Sequence, residues 1–173
     1  MGKFTKDEVI GILFAKLKPE RNDVFADIGC GSGRVSAFFS PYVRKVYAVD
    51  NDLNAFKESE KNLASFENVE VLHMDGLEFL ENYDCDIVFF GGTKNIERMI
   101  EVACRKARKI AVNAARIEVA CGVIERMKSL GIFHEALTLN ISRSYELAGK
   151  TAFKANNPVF MILGGKSCCT ELD

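Results

Sequence analysis

The chain has 173 residues, a mass of 19.2 kDa and a formal net charge of −1. That is the length of one domain, here expected over residues 1–166 with 167–173 as a flexible tail. It is long enough to bury about 70% of the unfolded surface without disulfide or metal staples. A hydrophobic share of 48% excludes global disorder, and the near-neutral charge argues against a strongly basic nucleic-acid binder.

No apolar run of about 18 residues indicates a membrane helix, and the polar start MGKFTKDEVI lacks a signal core. The expected location is the cytoplasm. Cys30, Cys85, Cys104, Cys121, Cys168 and Cys169 form no C-x-x-C pair, and His73 and His134 complete no zinc spacing, so no metal site is expected. Reduced, mostly buried thiols are the expectation.

Thr5-Lys6-Asp7-Glu8 reads as a capping box, with Thr as N-cap and Glu three residues on. Val9, Ile10, Leu13, Phe14 and Leu17 follow at helical spacing, and Pro19 ends that helix. Residues 23–28 read as a buried strand, 34–39 as a helix stopped near Pro41, and 45–49 as a second strand closing at Asp50. Residues 53–65 are helical with Phe56, Leu63 and Phe66 on the apolar side; 69–72 form a third strand and 77–80 a short helix. Residues 86–90 (DIVFF) make the fourth strand, closed by Gly91-Gly92. A helix over 95–105, a strand over 110–112 and a helix over 116–130 follow; the last turns Ile117, Ala120, Ile124 and Met127 inward and ends at Gly131. Two strands, 134–141 and 158–163, close the chain, separated by a polar stretch of about 16 residues, long for a passive loop.

Strand–helix alternation with nearly continuous apolar strands predicts a parallel sheet covered on both faces. Two final strands without a helix between them predict an antiparallel edge. The expected fold is therefore α/β: a doubly wound, mostly parallel seven-stranded sheet, Rossmann-like, with its ligand at the carboxyl ends of the strands near the topological switch point.

The first strand runs into Asp27-Ile28-Gly29-Cys30-Gly31-Ser32-Gly33, and Asp50 ends the second strand. Glycines let the backbone turn tightly and approach a ligand, and the helix that follows offers free N–H groups. A carboxylate at the end of the second strand suits the two hydroxyls of a ribose. Together these point to an adenosine-containing ligand; glycines serving only helix–strand packing are the alternative. The dinucleotide pattern G-x-G-x-x-G fails at Arg34, and the phosphate loop G-K-[ST] is absent. Asp27 beside the loop suits a ligand with a cationic end. S-adenosylmethionine carries a sulfonium, an ammonium, a ribose and an adenine, and its product is S-adenosylhomocysteine. Asp75-Gly76 after the third strand suits the adenine, with Asp75 as a plain N-cap the second reading. Over about residues 20–130 the chain resembles class I S-adenosylmethionine-dependent methyltransferases.

A more specific resemblance covers residues 4–165. Phe4-Thr5-Lys6-x-Glu8-Val9, the Asp27 to Gly33 loop, Asp86-Ile87-Val88-Phe89-Phe90-Gly91-Gly92, Leu139-Asn140-Ile141-Ser142-Arg143 and Asn157-Pro158-Val159-Phe160 are similar to elements of the cobalt-precorrin carbon-15 methyltransferase (decarboxylating) family of anaerobic cobalamin synthesis. The resemblance implies cofactor contacts from Thr5, the loop residues Gly29, Cys30, Gly31, Ser32 and Gly33, Asp50 and Gly76. With Asp27, Asp75 and Gly91 these make up the expected cofactor set. It further implies a homotetramer, a tetrapyrrole substrate near the C-terminal strands, and a separate carbon-5 methyltransferase in the same pathway. Ile10 and Thr93-Lys94-Asn95 depart from the family's usual Arg and Ser-Gly-Gly.

A polycarboxylate macrocycle calls for an apolar site with a cationic rim. Arg143, Lys150, Lys154, Lys94 and Arg116 are the candidates for that rim, with Tyr145, Phe153 and Phe160 for the lining. Asn140, Arg116 and Arg143 are the candidates for orienting substrate carboxylates, and no residue stands out as a general base. An RNA methyltransferase, a methyltransferase with another small acceptor, and a non-catalytic cofactor-binding subunit are the competing readings. The only basic cluster, Arg105-Lys106-Ala107-Arg108-Lys109, is short.

Overall fold

A computed structural model describes residues 5–166. Phe4 and the expected tail, with Cys168 and Cys169, lie outside the described residues. In chain order the elements are α1 (Asp7–Leu17), β1 (Val24–Ile28), α2 (Arg34–Phe39), β2 (Lys45–Asp50), α3 (Leu53–Leu63), β3 (Val69–His73), α4 (Gly76–Asn82), β4 (Ile87–Phe90), α5 (Ile96–Lys106), β5 (Lys109–Ala114), α6 (Ile117–Ser129), β6 (Phe133–Leu139), β7 (Ser142–Leu147), β8 (Lys150–Ala155) and β9 (Val159–Gly164). A single turn of 3₁₀ helix at Ser40–Tyr42 carries Pro41 where Pro is tolerated, in the first turn.

Seven strands form one sheet in the order β3-β2-β1-β4-β5-β9-β6. β1 to β5 are parallel; β9 enters antiparallel between β5 and β6 and supplies the antiparallel character at that edge. β1 and β4 are buried throughout, which fits parallel strands covered on both faces. α4, α5 and α6 cover one face through Phe79, Leu80, Ile100, Ala103, Val123 and Met127. α1 and α2 cover the other through Ile10, Leu13, Leu17, Val35 and Phe39, joined by Leu63 of α3 over Ala48. This is the doubly wound arrangement, with its switch point between β1 and β4.

Three details differ from the sequence reading. The polar stretch is an antiparallel hairpin, β7–β8, standing as a separate two-stranded sheet. The capping box does not form: the N-cap of α1 is Lys6, whose ammonium has no acceptor for a backbone N–H, and Glu8 pairs with Arg143 at 2.6 Å. Ile117, expected inward, is 51% exposed; the buried stripe of α6 is Ala120, Val123 and Met127.

α1 is fixed in direction. Lys109 Nζ at the start of β5 donates to Leu17 O at 2.7 Å, and Lys16 pairs with Glu135 near the start of β6. Its first turn therefore lies toward the carboxyl ends of the strands. There Asp7 pairs with Arg34 of α2 at 2.5 Å and Glu8 with Arg143 of β7, so the turn sits between the glycine loop and the base of the hairpin.

Candidate active site

The glycine loop is tied to its strands by backbone bonds. Gly29 N and Cys30 N both donate to Val49 O, at 2.8 and 3.1 Å, and Gly91 N donates to Ile28 O at 2.8 Å. Gly29 has φ +76, and a Cβ there would stand 2.7 Å from Gly92 N. Only glycine allows the ends of β1 and β4 this close. Gly33 precedes α2 as its N-cap, and Ser32 and Cys30 are buried beneath the loop. Burial drives the Cys30 thiol far above the normal cysteine range, so it is a packing group and not a nucleophile.

The cleft beside the loop is lined by Ile28, Gly29, Val49, Asp50, Asp75, Gly76 and Gly92, with Lys94 and Met99 at its side. Asp50 Oδ2 accepts from Gly31 N at 2.9 Å and its Oδ1 from Asp52 N at 3.0 Å. A carboxylate offers about four acceptor positions, so one remains on each oxygen. Asp75 is the N-cap of α4, its Oδ1 accepting from Leu77 N at 2.8 Å; the cap reading holds, and its second oxygen is not used in the cap. A Cβ on Gly76 would stand 2.5 Å from Ile28 Cγ2, so this wall of the cleft is backbone.

Asp27 lies behind the loop and is 1% exposed. Its Oδ2 accepts from Ser36 Oγ at 2.7 Å and Ser36 N at 3.2 Å, while Oδ1 is buried without a partner. Burial raises its pKa to about 7, against the lowering effect of the Ser36 bonds. Thr5 lies two residues ahead of Asp7, at the turn that α1 brings to the loop. The fit to S-adenosylmethionine can be judged on these features. An unpartnered buried carboxylate oxygen suits a cation, and an acid with two free acceptor positions suits a ribose.

The residues expected to orient substrate divide. Arg143 is on the hairpin, where Arg143↔Lys154, Tyr145↔Ala152 and Leu147↔Lys150 are cross-strand pairs. Residues alternate in face along a strand, so the two lysines, Arg143 and Tyr145 share one hairpin face, and Phe153 with Ser144 takes the opposite one. Asn140 is exposed in the link between β6 and β7. Arg116 is the N-cap of α6 and lines a separate groove with Thr93, Glu97 and Glu118; the two acids offset its charge there. Three of the four cations in the basic cluster 105–109 are spent internally: Arg108 pairs with Asp23 at 2.5 Å, Lys109 holds Leu17, and Lys106 pairs with Asp84. Lys94, expected at the cationic rim, stands at the side of this cleft. Ser36 and Met99 were not legible in the sequence as site residues, because each reaches the site from a position that only the packing of helices on strands defines.

A doubly wound sheet with this glycine-and-carboxylate cleft at its switch point defines a class I S-adenosylmethionine-dependent methyltransferase. Within that class, the chain belongs to the precorrin methyltransferase domain family, whose model matches residues 1–164. It is 55% identical to a probable cobalt-precorrin-6B C(15)-methyltransferase (decarboxylating) of Archaeoglobus fulgidus, over 94% of this chain and 98% of that protein. Among solved structures, it is similar to the precorrin 8W decarboxylase of Methanobacterium thermoautotrophicum, with TM-score 0.89 and 30% identity over 95% of this chain and 93% of that one. It is also similar to the precorrin-6Y C5,15-methyltransferase of Geobacter metallireducens, with TM-score 0.87 and 27% identity over 94% and 91%. A Pyrococcus horikoshii protein described as a putative RNA methyltransferase shares the fold, with TM-score 0.69 and 21% identity over 91% of this chain and 81% of that one. No helix among the described residues is long and apolar enough to cross a membrane.

Proposed function

We propose that this protein methylates a cobalt-precorrin macrocycle at carbon 15 and removes the carboxyl of the ring C acetate as carbon dioxide. The observation that carries this reading is the match to the Archaeoglobus protein across nearly the whole of both chains. S-adenosylmethionine supplies the electrophilic methyl group. Asp50 would take the ribose hydroxyls, Asp75 and Gly76 the adenine, and Asp27 with Thr5, Gly29 to Gly33 and Gly91 the amino-acid end.

The reaction asks mainly for positioning, since the macrocycle itself provides the electron-rich carbon. The hairpin face that gathers Arg143, Lys150, Lys154 and Tyr145 suits a flat, carboxylate-rich molecule. Like charges at Arg143 and Lys154 stand directly opposite, an arrangement that a bound carboxylate would relieve. Glu8 already neutralises Arg143 in part. The assembly would be a homotetramer formed through the exposed hairpin, acting in the cytoplasm, where the free thiols of Cys104 and Cys121 stay reduced. A separate methyltransferase would act at carbon 5.

The test has two stages. Wild-type protein should bind S-adenosylhomocysteine in titration calorimetry, and Asp50→Ala should weaken binding about tenfold or more by removing charge-assisted bonds to both hydroxyls. Incubation with S-adenosylmethionine and cobalt-precorrin-6B should then give a product heavier by one methyl and lighter by one carbon dioxide in mass spectrometry. Absence of binding would overturn the cofactor assignment; binding without that mass change would overturn the substrate.

A further inference from the structure

We propose that Asn113 orients the bound ligand at the methyl-transfer position, its side-chain oxygen accepting a hydrogen bond from a ligand N–H; this rests on the methyltransferase reading above. β5 alternates Ile110, Val112 and Ala114 into the core under α4, α5 and α6, and Ala111 into the core under α1 and α2. Asn113 therefore stands on the α1 face, at the carboxyl end of its strand. The pairings Ile28↔Phe90 and Phe90↔Val112 make Gly29, Gly91 and Asn113 the next row across the sheet, continued by Met161 and Leu137.

Two members of that row have no side chain, so Asn113 has no side-chain neighbour across β4 and β1. The backbones there close on each other: a Cβ on Gly91 would stand 2.8 Å from Gly29 O, and one on Gly29 2.7 Å from Gly92 N. Asn113 Oδ1 is buried and has no partner. The same is true of Asp27 Oδ1, one row back on the same face of β1. Two dehydrated acceptors thus lie on one face of the sheet where β1 and β4 end in glycine, and the first turn of α1, held by Arg34 and Arg143, closes over this end. A buried acceptor left unpaired is costly to the free protein. Such a cost is retained where a ligand supplies the donor. The donor available in the proposed reaction is the ammonium of the cofactor, since the ring nitrogens of a cobalt-precorrin are held by the cobalt.

Asn113→Leu keeps the branching of the side chain and removes its polar end, and Asn113→Ala does so without adding bulk. Three readings are taken on both: unfolding temperature without ligand, affinity for S-adenosylhomocysteine by calorimetry, and kcat and KM with the macrocycle. Turnover should fall at least about tenfold in both variants, while the ligand-free unfolding temperature of the better-packed variant stays at or above that of wild type. Affinity for S-adenosylhomocysteine falling in step identifies the cofactor ammonium as the donor. Unchanged affinity with altered kcat/KM would overturn the proposal, because the cofactor ammonium would not be the donor. Affinity and turnover within about twofold of wild type would overturn the proposal, as would a loss of turnover accompanied by lowered unfolding temperatures in both variants. Wild-type protein that binds no S-adenosylhomocysteine would overturn the proposed function instead, and the ligand-free unfolding comparison would still report on Asn113.

Discussion

Asp27 is the residue whose chemistry is most exposed to pH. Its carboxyl is buried, half-satisfied by Ser36, and raised to about 7, chiefly by burial and further by the Asp50 charge. The unfolded-state value is near about 3.9. Between the two the folded state holds a proton that the unfolded chain has released, so the stability from this group falls as pH rises through that window. A bound cation reverses the preference and draws the carboxylate into its ionised form. Affinity for S-adenosylmethionine should therefore rise with pH, up to about tenfold per unit below pH 7, and level off above it. Calorimetry at pH 6 and pH 8 reads this directly, and Asp27→Asn should bind more weakly with a flat profile. A wild-type affinity that does not change across that range would show that Asp27 does not meet the cationic end. The sequence reading, which placed a cation beside Asp27 from its position next to the loop, is consistent with the vacant Oδ1.

At the scale of elements, the loop separates two kinds of glycine. Gly29 combines φ +76 with a Cβ site 2.7 Å from backbone, whereas Gly31 has φ +56 and nothing within 4 Å. Gly29→Ala should cost at least about 2 kcal/mol, from the left-handed backbone and from forcing β1 and β4 apart, lowering the unfolding temperature by about 4 °C or more. Gly31→Ala should cost about 1–2 kcal/mol and instead lose cofactor affinity, because its new methyl meets no protein atom and enters the open space beside the loop. Thermal unfolding paired with calorimetry distinguishes them; equal stability losses would mean that the crevice relaxes around Gly29. The central strands β1 and β4 were legible because burial on both faces writes a strand as an apolar run, as in Ile87 to Phe90. The hairpin was not. Its strands are exposed nearly throughout, so no alternation marks them. Its turn places Ala148 at φ +51 and Gly149 at φ +74, a tight hairpin geometry usually signalled by Asn-Gly. Asn113 was equally hidden, since its neighbours Gly29 and Gly91 join it only through the register of three strands.

For the whole molecule, the hairpin poses the question of what covers it. A two-stranded ribbon is marginal by itself, and this one carries Phe153 at 70%, Leu147 at 57% and Tyr145 at 45% exposure. Its pairing is confined to β7 and β8, so both outer edges offer unpaired backbone groups. Exposed aromatics and open strand edges together favour association with further copies of the same hairpin, which is the structural support for the proposed tetramer. In the proposed assembly the Phe153 face would meet other subunits, and the Arg143–Lys154 face, which also carries Tyr145 and Leu147 and is tied to α1 through Glu8, would turn to the substrate. Light scattering on the eluting wild-type protein should give four times the chain mass. Phe153→Glu should shift that mass to smaller species while leaving S-adenosylhomocysteine affinity within about twofold, because the glycine loop and Asp50 belong to the main sheet. The KM for the macrocycle should rise in the same variant, since an uncovered hairpin no longer holds its cationic face in place. A monomeric wild type, or a variant that stays tetrameric, would remove the hairpin from the assembly and leave its apolar face to the substrate.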